Sequence, residues 1–216
     1  MVFFATRGLI GPSYTALSDL EEGALVKLKE SGSPVEFYVA KHDYESELNG
    51  AGRTLLVRKD CYDSRQWNSV NENAYGASSV DIWLNNGYMD LLDPKVKDEI
   101  ATTKIRYTIG NGSPALGNLD RSAFLLSMTE LGKSHDYANV EGSALPIAST
   151  LQIAYLNGSP TAQWTRSPNT NHRYGAWGLG AHGEISDGSG CTNLFGSRPC
   201  FTLPSTILVN EDGLIE

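Results

Sequence analysis

Two arginines set beside prolines, in Gln163-Trp-Thr-Arg-Ser-Pro168 and Ser197-Arg-Pro-Cys-Phe-Thr-Leu-Pro204, constrain this chain more than any other feature. They flank a segment rich in Gly, Asn and aromatic residues. The pattern reads as two structural clamps closing a long exposed loop, an arrangement suited to displaying a surface rather than lining a catalytic pocket.

A chain of 216 residues is long enough for one sizeable core, since folding at this size removes roughly 70% of the unfolded surface from water. One domain is the default and two small ones are the alternative. The 22 Gly and 9 Pro imply many turns, so strands and loops should outweigh helices.

The net charge is −8, and Lys and Arg are scattered. The basic patch that nucleic acid requires is missing, so nucleic acid is not an expected partner and the acidity reads as solubility. Cys61, Cys191 and Cys200 make an odd number in a chain that needs no disulfide framework, which suggests reduced thiols. Cys191 and Cys200 are the one pair for which a bridge is worth testing, because they end the same loop. The apolar start, Met1-Val-Phe-Phe-Ala5, has no basic region ahead of it and is not a secretory signal. It either docks on a neighbouring subunit or stays disordered. No apolar run approaches the roughly 18 residues of a membrane span, so no membrane insertion is expected.

Ala24–Lys29 and Val35–Ala40 flank the turn Ser31-Gly-Ser-Pro34 and predict a hairpin. Arg53–Arg58 predicts a buried strand, and the polar stretch from His42 to Gly52 a loop. Within that loop, His42 beside Asp43 resembles a catalytic or metal pair, yet neighbours in extended chain point apart, so solvation is the simpler account. Val80, Trp83, Leu84, Tyr88, Leu91 and Leu92 recur at helical spacing, with Ser78 or Ser79 as N-cap. Asp93-Pro94 starts a second helix with Val96 and Ile100 inward. At this spacing Trp83 and Tyr88 are core residues rather than ligand platforms. Thr103–Thr108 predicts a strand followed by a turn-rich excursion at Gly110–Pro114, and Ala123–Ser127 a short buried strand. Short strands are expected at Gln163–Arg166, Tyr174–Leu179, Gly183–Ile185, Arg198–Leu203 and Ile207–Val209. The order is that of an α+β domain.

No phosphate-cradling glycine motif precedes a helix, so no nucleotide cofactor is expected. His42, His135, His172 and His182 form no zinc-ligand set with the cysteines, and Ser186-Asp-Gly-Ser-Gly190 has too few carboxylates for a calcium loop; neither metal nor cofactor is expected. No nucleophile motif is present, and Cys200 in an apolar strand reads as a small hydrophobe. What remains is surface chemistry. Asn169, Asn171, His172, Arg173, Tyr174 and Trp177 combine adaptable amides with rigid rings and a guanidinium, the composition of binding loops. The alternative for this stretch is that Tyr174 and Trp177 alternate into the core while the asparagines turn the chain.

The series Arg58-Lys-Asp-Cys-Tyr-Asp-Ser-Arg-Gln-Trp67, Trp83-Leu-Asn, Phe124-Leu-Leu-Ser127, Trp164-Thr-Arg-Ser-Pro168 and Ser197-Arg-Pro-Cys-Phe201 resembles an uncharacterised domain family of gut bacteria and their phages and prophages. That family is similar in turn to the C-type lectin-like fold of the sulfatase-modifying module and of retroelement-diversified variable proteins. The resemblance implies a C-type lectin-like α+β domain over 20–210, with an extension at 1–19 and a tail at 211–216. It also implies that Trp67, Trp83, Trp164, Arg166 and Arg198 are structural, the arginines pairing with carboxylates or carbonyls. The implied role is a non-enzymatic virion protein of the tail, neck or surface. Such a protein is assembled in the host cytoplasm and is a homo-oligomer among other virion proteins. A receptor- or glycan-binding adhesin is the alternative, its ligand a host cell-surface glycan or protein. The sugar-binding calcium motifs of the lectins are missing, and the context of Cys191 and Cys200 does not match the cysteine pair of formylglycine-generating oxidoreductases, the more distant alternative.

Overall fold

In the computed structural model, which describes residues 13–186 and 190–215, a first short strand β1 (Tyr14–Ala16) precedes the predicted hairpin of β2 (Leu25–Glu30) and β3 (Ser33–Lys41). The hairpin turns through Ser31 and Gly32 at φ 51° and 80°, the left-handed pair that matches the twist of its strands. The polar stretch that follows is a loop as expected, except for one helical turn, α1 (Ser46–Asn49). Next come β4 (Arg53–Arg58) and β5 (Asp63–Gln66). In β4 the four central residues are all buried, as a continuous apolar run implies, because β4 lies inside the sheet β14-β4-β3-β2.

The predicted helices form, but the first changes pitch. It opens as α2 (Ser79–Trp83), capped by Ser78, whose Oγ accepts the Asp81 amide. It then widens to a π turn at Leu84–Tyr88 and tightens at Met89–Leu91. Asn85 accounts for the widening: its Nδ2 donates to the Asp81 carbonyl at 3.0 Å and so competes with the backbone ladder. The second helix, α3 (Pro94–Glu99), is capped by Asp93 and buries Val96.

The strand at Thr103–Thr108 runs on to Gly110 as β6 (Thr103–Gly110), and the expected excursion is a tight turn into a nine-residue strand, β7 (Ser113–Arg121). Mostly exposed and carrying Pro114 and Gly117, β7 has no apolar alternation to announce it. Residues 123–127 are buried as expected but form no strand beyond one bridge, Phe124 to Cys200. Side chains satisfy their backbone instead, with Leu125 N–H donating to Tyr75 Oη and Ser127 N–H to Glu130 Oε2.

The last third contains α4 (Ala148–Leu151), the hairpin β8 (Ala154–Leu156) and β9 (Ser159–Thr161), then β10 (Gln163–Pro168), β11 (Ala176–Leu179), β12 (Ile185–Ser186), β13 (Leu194–Ser197), β14 (Cys200–Pro204) and β15 (Leu208–Asn210). A five-stranded sheet runs β12-β11-β10-β13-β5, and every residue of its middle strand, β10, is buried. Strand content near 40% against 16% helix makes this a strand-rich α+β fold.

The boundaries expected at 19 and 211 do not hold. β1 pairs with β15, Leu17 is fully buried, and Leu214 and Ile215 bridge to Lys27 and Val209, so residues 14–19 and 211–215 belong to the same folded unit. The docking segment expected at residues 1–10 lies outside the described residues.

Candidate recognition site

The clamps come first because they set the frame. Arg166, on the fully buried β10, meets Glu130 through two bonds, Nη1 to Oε2 at 2.6 Å and Nη2 to Oε1 at 3.0 Å, and neither side chain is exposed. Its Nε and Nη1 also donate to the carbonyls of Arg106 and Leu125. Glu130 accepts a further bond from the Tyr44 hydroxyl at 2.5 Å. Arg198 is held by carbonyls alone, those of Arg58, Leu151 and Lys59, at 2.8, 2.9 and 2.7 Å. Burial without a bonded carboxylate pulls its pKa below the ordinary guanidinium value. Both guanidinium groups are spent inside the fold. Around them Trp67 Nε1 donates to the Thr165 carbonyl and Trp164 Nε1 to that of Arg65, with the Trp164 ring stacked on Phe195 at 4.4 Å. Trp83 is only half-buried, and the Arg65 guanidinium lies over its ring, 3.1 Å from the centroid.

Against that frame the expected long loop breaks into parts. Residues 169–175 form a turn, β11 is buried throughout, and residues 180–184 turn the chain again. Trp177 is fully buried: its Nε1 donates to the Tyr137 carbonyl at 3.1 Å and its ring packs on His135 at 4.3 Å. The surface contact proposed for it is therefore corrected; β11 lies inside the sheet between β12 and β10 and is buried on both faces, which carries Trp177 into the core. Asn169 is buried too, and its Oδ1 accepts the Asn171 amide, so it shapes the turn.

The remaining four residues present a surface. His172 and Tyr174 stack face to face, 3.9 Å apart and 9° from parallel, and Tyr174 is 52% exposed. Arg173 points outward and pairs with Glu72 at 2.8 Å, and Asn171 is exposed beside them. The base of this turn is Asn73, which no sequence pattern singled out. Its Nδ2 donates to the carbonyls of Asn169, His172 and Gly175, its Oδ1 accepts the Asn111 amide from the β6–β7 turn, and its own amide donates to the Arg173 carbonyl. One buried amide thus ties the turn to the neighbouring hairpin, and the exposed rings stand on a fixed base.

Other candidates resolve differently. Cys61, Cys191 and Cys200 are free and buried. Burial pushes the Cys61 thiol up to about 11 and Cys191 to about 12, and drives Cys200 up as well. His42 is fully engaged, Nδ1 with Thr54 Oγ1 at 2.9 Å and Nε2 with the Leu20 carbonyl at 2.8 Å, so it is not a free base paired with Asp43. Among the described residues, no three His, Cys, Asp or Glu are grouped to hold a metal, and no helix is long and apolar enough to cross a membrane. A polar cleft of about 600 Å³ opens between α1 with its preceding loop, Arg106 of β6 and residues 140–143.

Residues 51–205 match the family described as a domain of unknown function, DUF6273. No curated protein and no solved structure matches the chain. The matched span runs from the turn before β4 to just past β14 and takes in both arginine clamps, and the chain belongs to the DUF6273 family.

Proposed function

We propose that this domain is a non-enzymatic structural protein of a phage particle, a tail, neck or surface component that presents a C-type lectin-like recognition surface and works as a homo-oligomer among other virion proteins. The observation that carries the non-enzymatic reading is the complete burial of Arg166 against Glu130, with Arg198 consumed by three carbonyls. The most strongly charged interior groups serve as girders, and the buried, proton-holding thiols argue against formylglycine-type chemistry. The particle setting and the lectin-like architecture rest on the resemblance of the motif series. Mass spectrometry of virions purified from the producing host tests the assignment: the polypeptide should be present at a fixed copy number, and its absence from the particle sinks the assignment.

A second reading, a receptor- or glycan-binding adhesin, is favoured by the His172–Tyr174 stack beside Arg173, a rigid aromatic ledge on a fixed base. Replacing Arg173 and Tyr174 with Ala should abolish attachment to cells at unchanged thermal stability. Undiminished attachment would count against it.

A further inference from the structure

We infer that the cleft beside α1 is a binding site for a neutral, hydroxyl-rich saccharide, a site separate from the aromatic ledge and independent of the reading built on it. Its volume, about 600 Å³, lies within the range of small-molecule sites. Its wall carries hydrogen-bonding capacity that the fold itself leaves unused.

Glu45 is the clearest case. Its side chain is only 8% exposed, yet its carboxylate has one long contact, Oε2 with Arg106 Nε at 3.4 Å, and Oε1 has no hydrogen-bond partner among the described residues. A carboxylate so far withdrawn from water normally gathers donors, and a bare oxygen in a cleft wall is an acceptor waiting for one. The backbone at Glu45 sits in the left-handed region, at φ 47°. Gly142, at φ +87°, faces it: a Cβ there would lie 3.1 Å from Glu45 Oε1, so glycine keeps the floor open.

Arg106 supplies the complementary donors. Its Nη2 reaches Glu47 at 3.4 Å and its Nη1 has no partner among the described residues. Lys41 Nζ and the hydroxyls of Ser46 and Ser143 also line the cleft without side-chain partners among the described residues. Asp43 spends only one carboxylate oxygen, on the Gly52 amide at 2.7 Å.

This inventory selects a ligand class. Two cations, Lys41 and Arg106, face three anions, Asp43, Glu45 and Glu47, so the cleft carries both signs and a strong anion finds no excess of positive charge. Apart from the His42 ring, whose two nitrogens are tied to Thr54 and Leu20, no aromatic side chain among the described residues lines the cleft, so a flat base has no Trp, Tyr or Phe to stack on. Adjacent hydroxyls fit: one donates to a carboxylate while the next accepts from the guanidinium, a match that uses donors and acceptors together.

The test uses the intact chain on an array of immobilised neutral oligosaccharides, comparing wild type with Arg106→Ala, Glu45→Gln and Tyr174→Ala, each checked for an unchanged melting temperature. The expected result is at least one glycan retained by wild type and by Tyr174→Ala, with signal down tenfold or more in both cleft variants. Titration with that glycan should move the backbone amides of 41–47, 106 and 140–143. If Arg106→Ala fails to fold, Glu45→Gln decides. A chain that binds nothing on the array overturns the inference, and so does a glycan lost with Tyr174→Ala but kept by the cleft variants; that second outcome would place binding on the aromatic ledge.

Discussion

Arg166 and Glu130 face each other across 36 residues of chain as a bidentate ion pair with neither side chain reaching solvent. Removing one partner strands the other charge in the interior, while removing both leaves only a packing problem. Arg166→Met or Glu130→Leu alone should cost about 3–5 kcal/mol of unfolding free energy, and the double variant clearly less than the two combined. Urea unfolding in a double-mutant cycle reads this directly. A single substitution costing less than about 1 kcal/mol, the worth of an exposed pair, would mean the pair is no girder.

Glu141 makes a second prediction, with a sign opposite to that of an ordinary salt-bridged carboxylate. Its Oε1 accepts the Thr108 amide at 2.6 Å and its Oε2 the Ser167 hydroxyl at 2.5 Å, yet complete burial raises its pKa above the usual range. The folded state then holds this proton more tightly than the unfolded state. Its contribution to stability is present at low pH and is lost as pH rises from the ordinary glutamate value through the raised one. Glu141→Gln keeps an acceptor for Thr108 and a polar partner for Ser167 without the charge. The variant should gain on wild type as pH rises through that window, measured by chemical denaturation between pH 4 and pH 8. A constant difference across that range contradicts it.

How much of this was legible beforehand follows from where the determining contacts lie. β4 and α3 were readable because their signals are local: a continuous apolar run in one, Asp93 before Pro94 in the other. β5 was not, because Asp63-Ser-Arg-Gln66 is polar and becomes a strand only by pairing with β13, more than a hundred residues on. β1 joins β15 for the same reason. The clamps show the same division. Their residue types and spacing announced Arg166 and Arg198 as structural, but nothing in the sequence named Glu130 as partner to one or three carbonyls as partners to the other. Trp177 was ambiguous because alternation in a buried strand and an aromatic binding loop have the same composition; pairing to β10 decides for the core.

The cysteines yield a prediction about reactivity. Thiolate, not thiol, attacks alkylating reagents, and burial holds Cys61, Cys191 and Cys200 protonated well above their ordinary pKa. In the native protein at pH 8, none should react appreciably with an aromatic disulfide reagent over an hour, and all three should react at once in guanidinium. Prompt native labelling of Cys191 or Cys200 would restore thiol chemistry to consideration.

Asn73 carries the last prediction because it sets the rigidity of the exposed ledge. Its side-chain amide donates to three carbonyls at 2.7–2.9 Å and accepts the Asn111 amide at 2.6 Å. Asn73→Ala leaves those buried groups without partners. At about 1 kcal/mol per bond, moderated by entering water, the expected cost is about 2–4 kcal/mol. Asn73→Asp is the sharper variant, since it keeps the acceptor for Asn111 but turns the three donations into carboxylate–carbonyl repulsions. It should therefore cost at least as much as Ala despite its similar shape. Hydrogen exchange should locate the effect: protection falls at Asn169, Gly175 and Asn111, while the amides of β4 lose only what the global destabilisation accounts for. If Tyr174 and Arg173 contact a receptor, the same variant should weaken attachment while removing neither group. Attachment that weakens only through Tyr174→Ala and Arg173→Ala, never through Asn73→Ala, would show that the ledge does not depend on a fixed base.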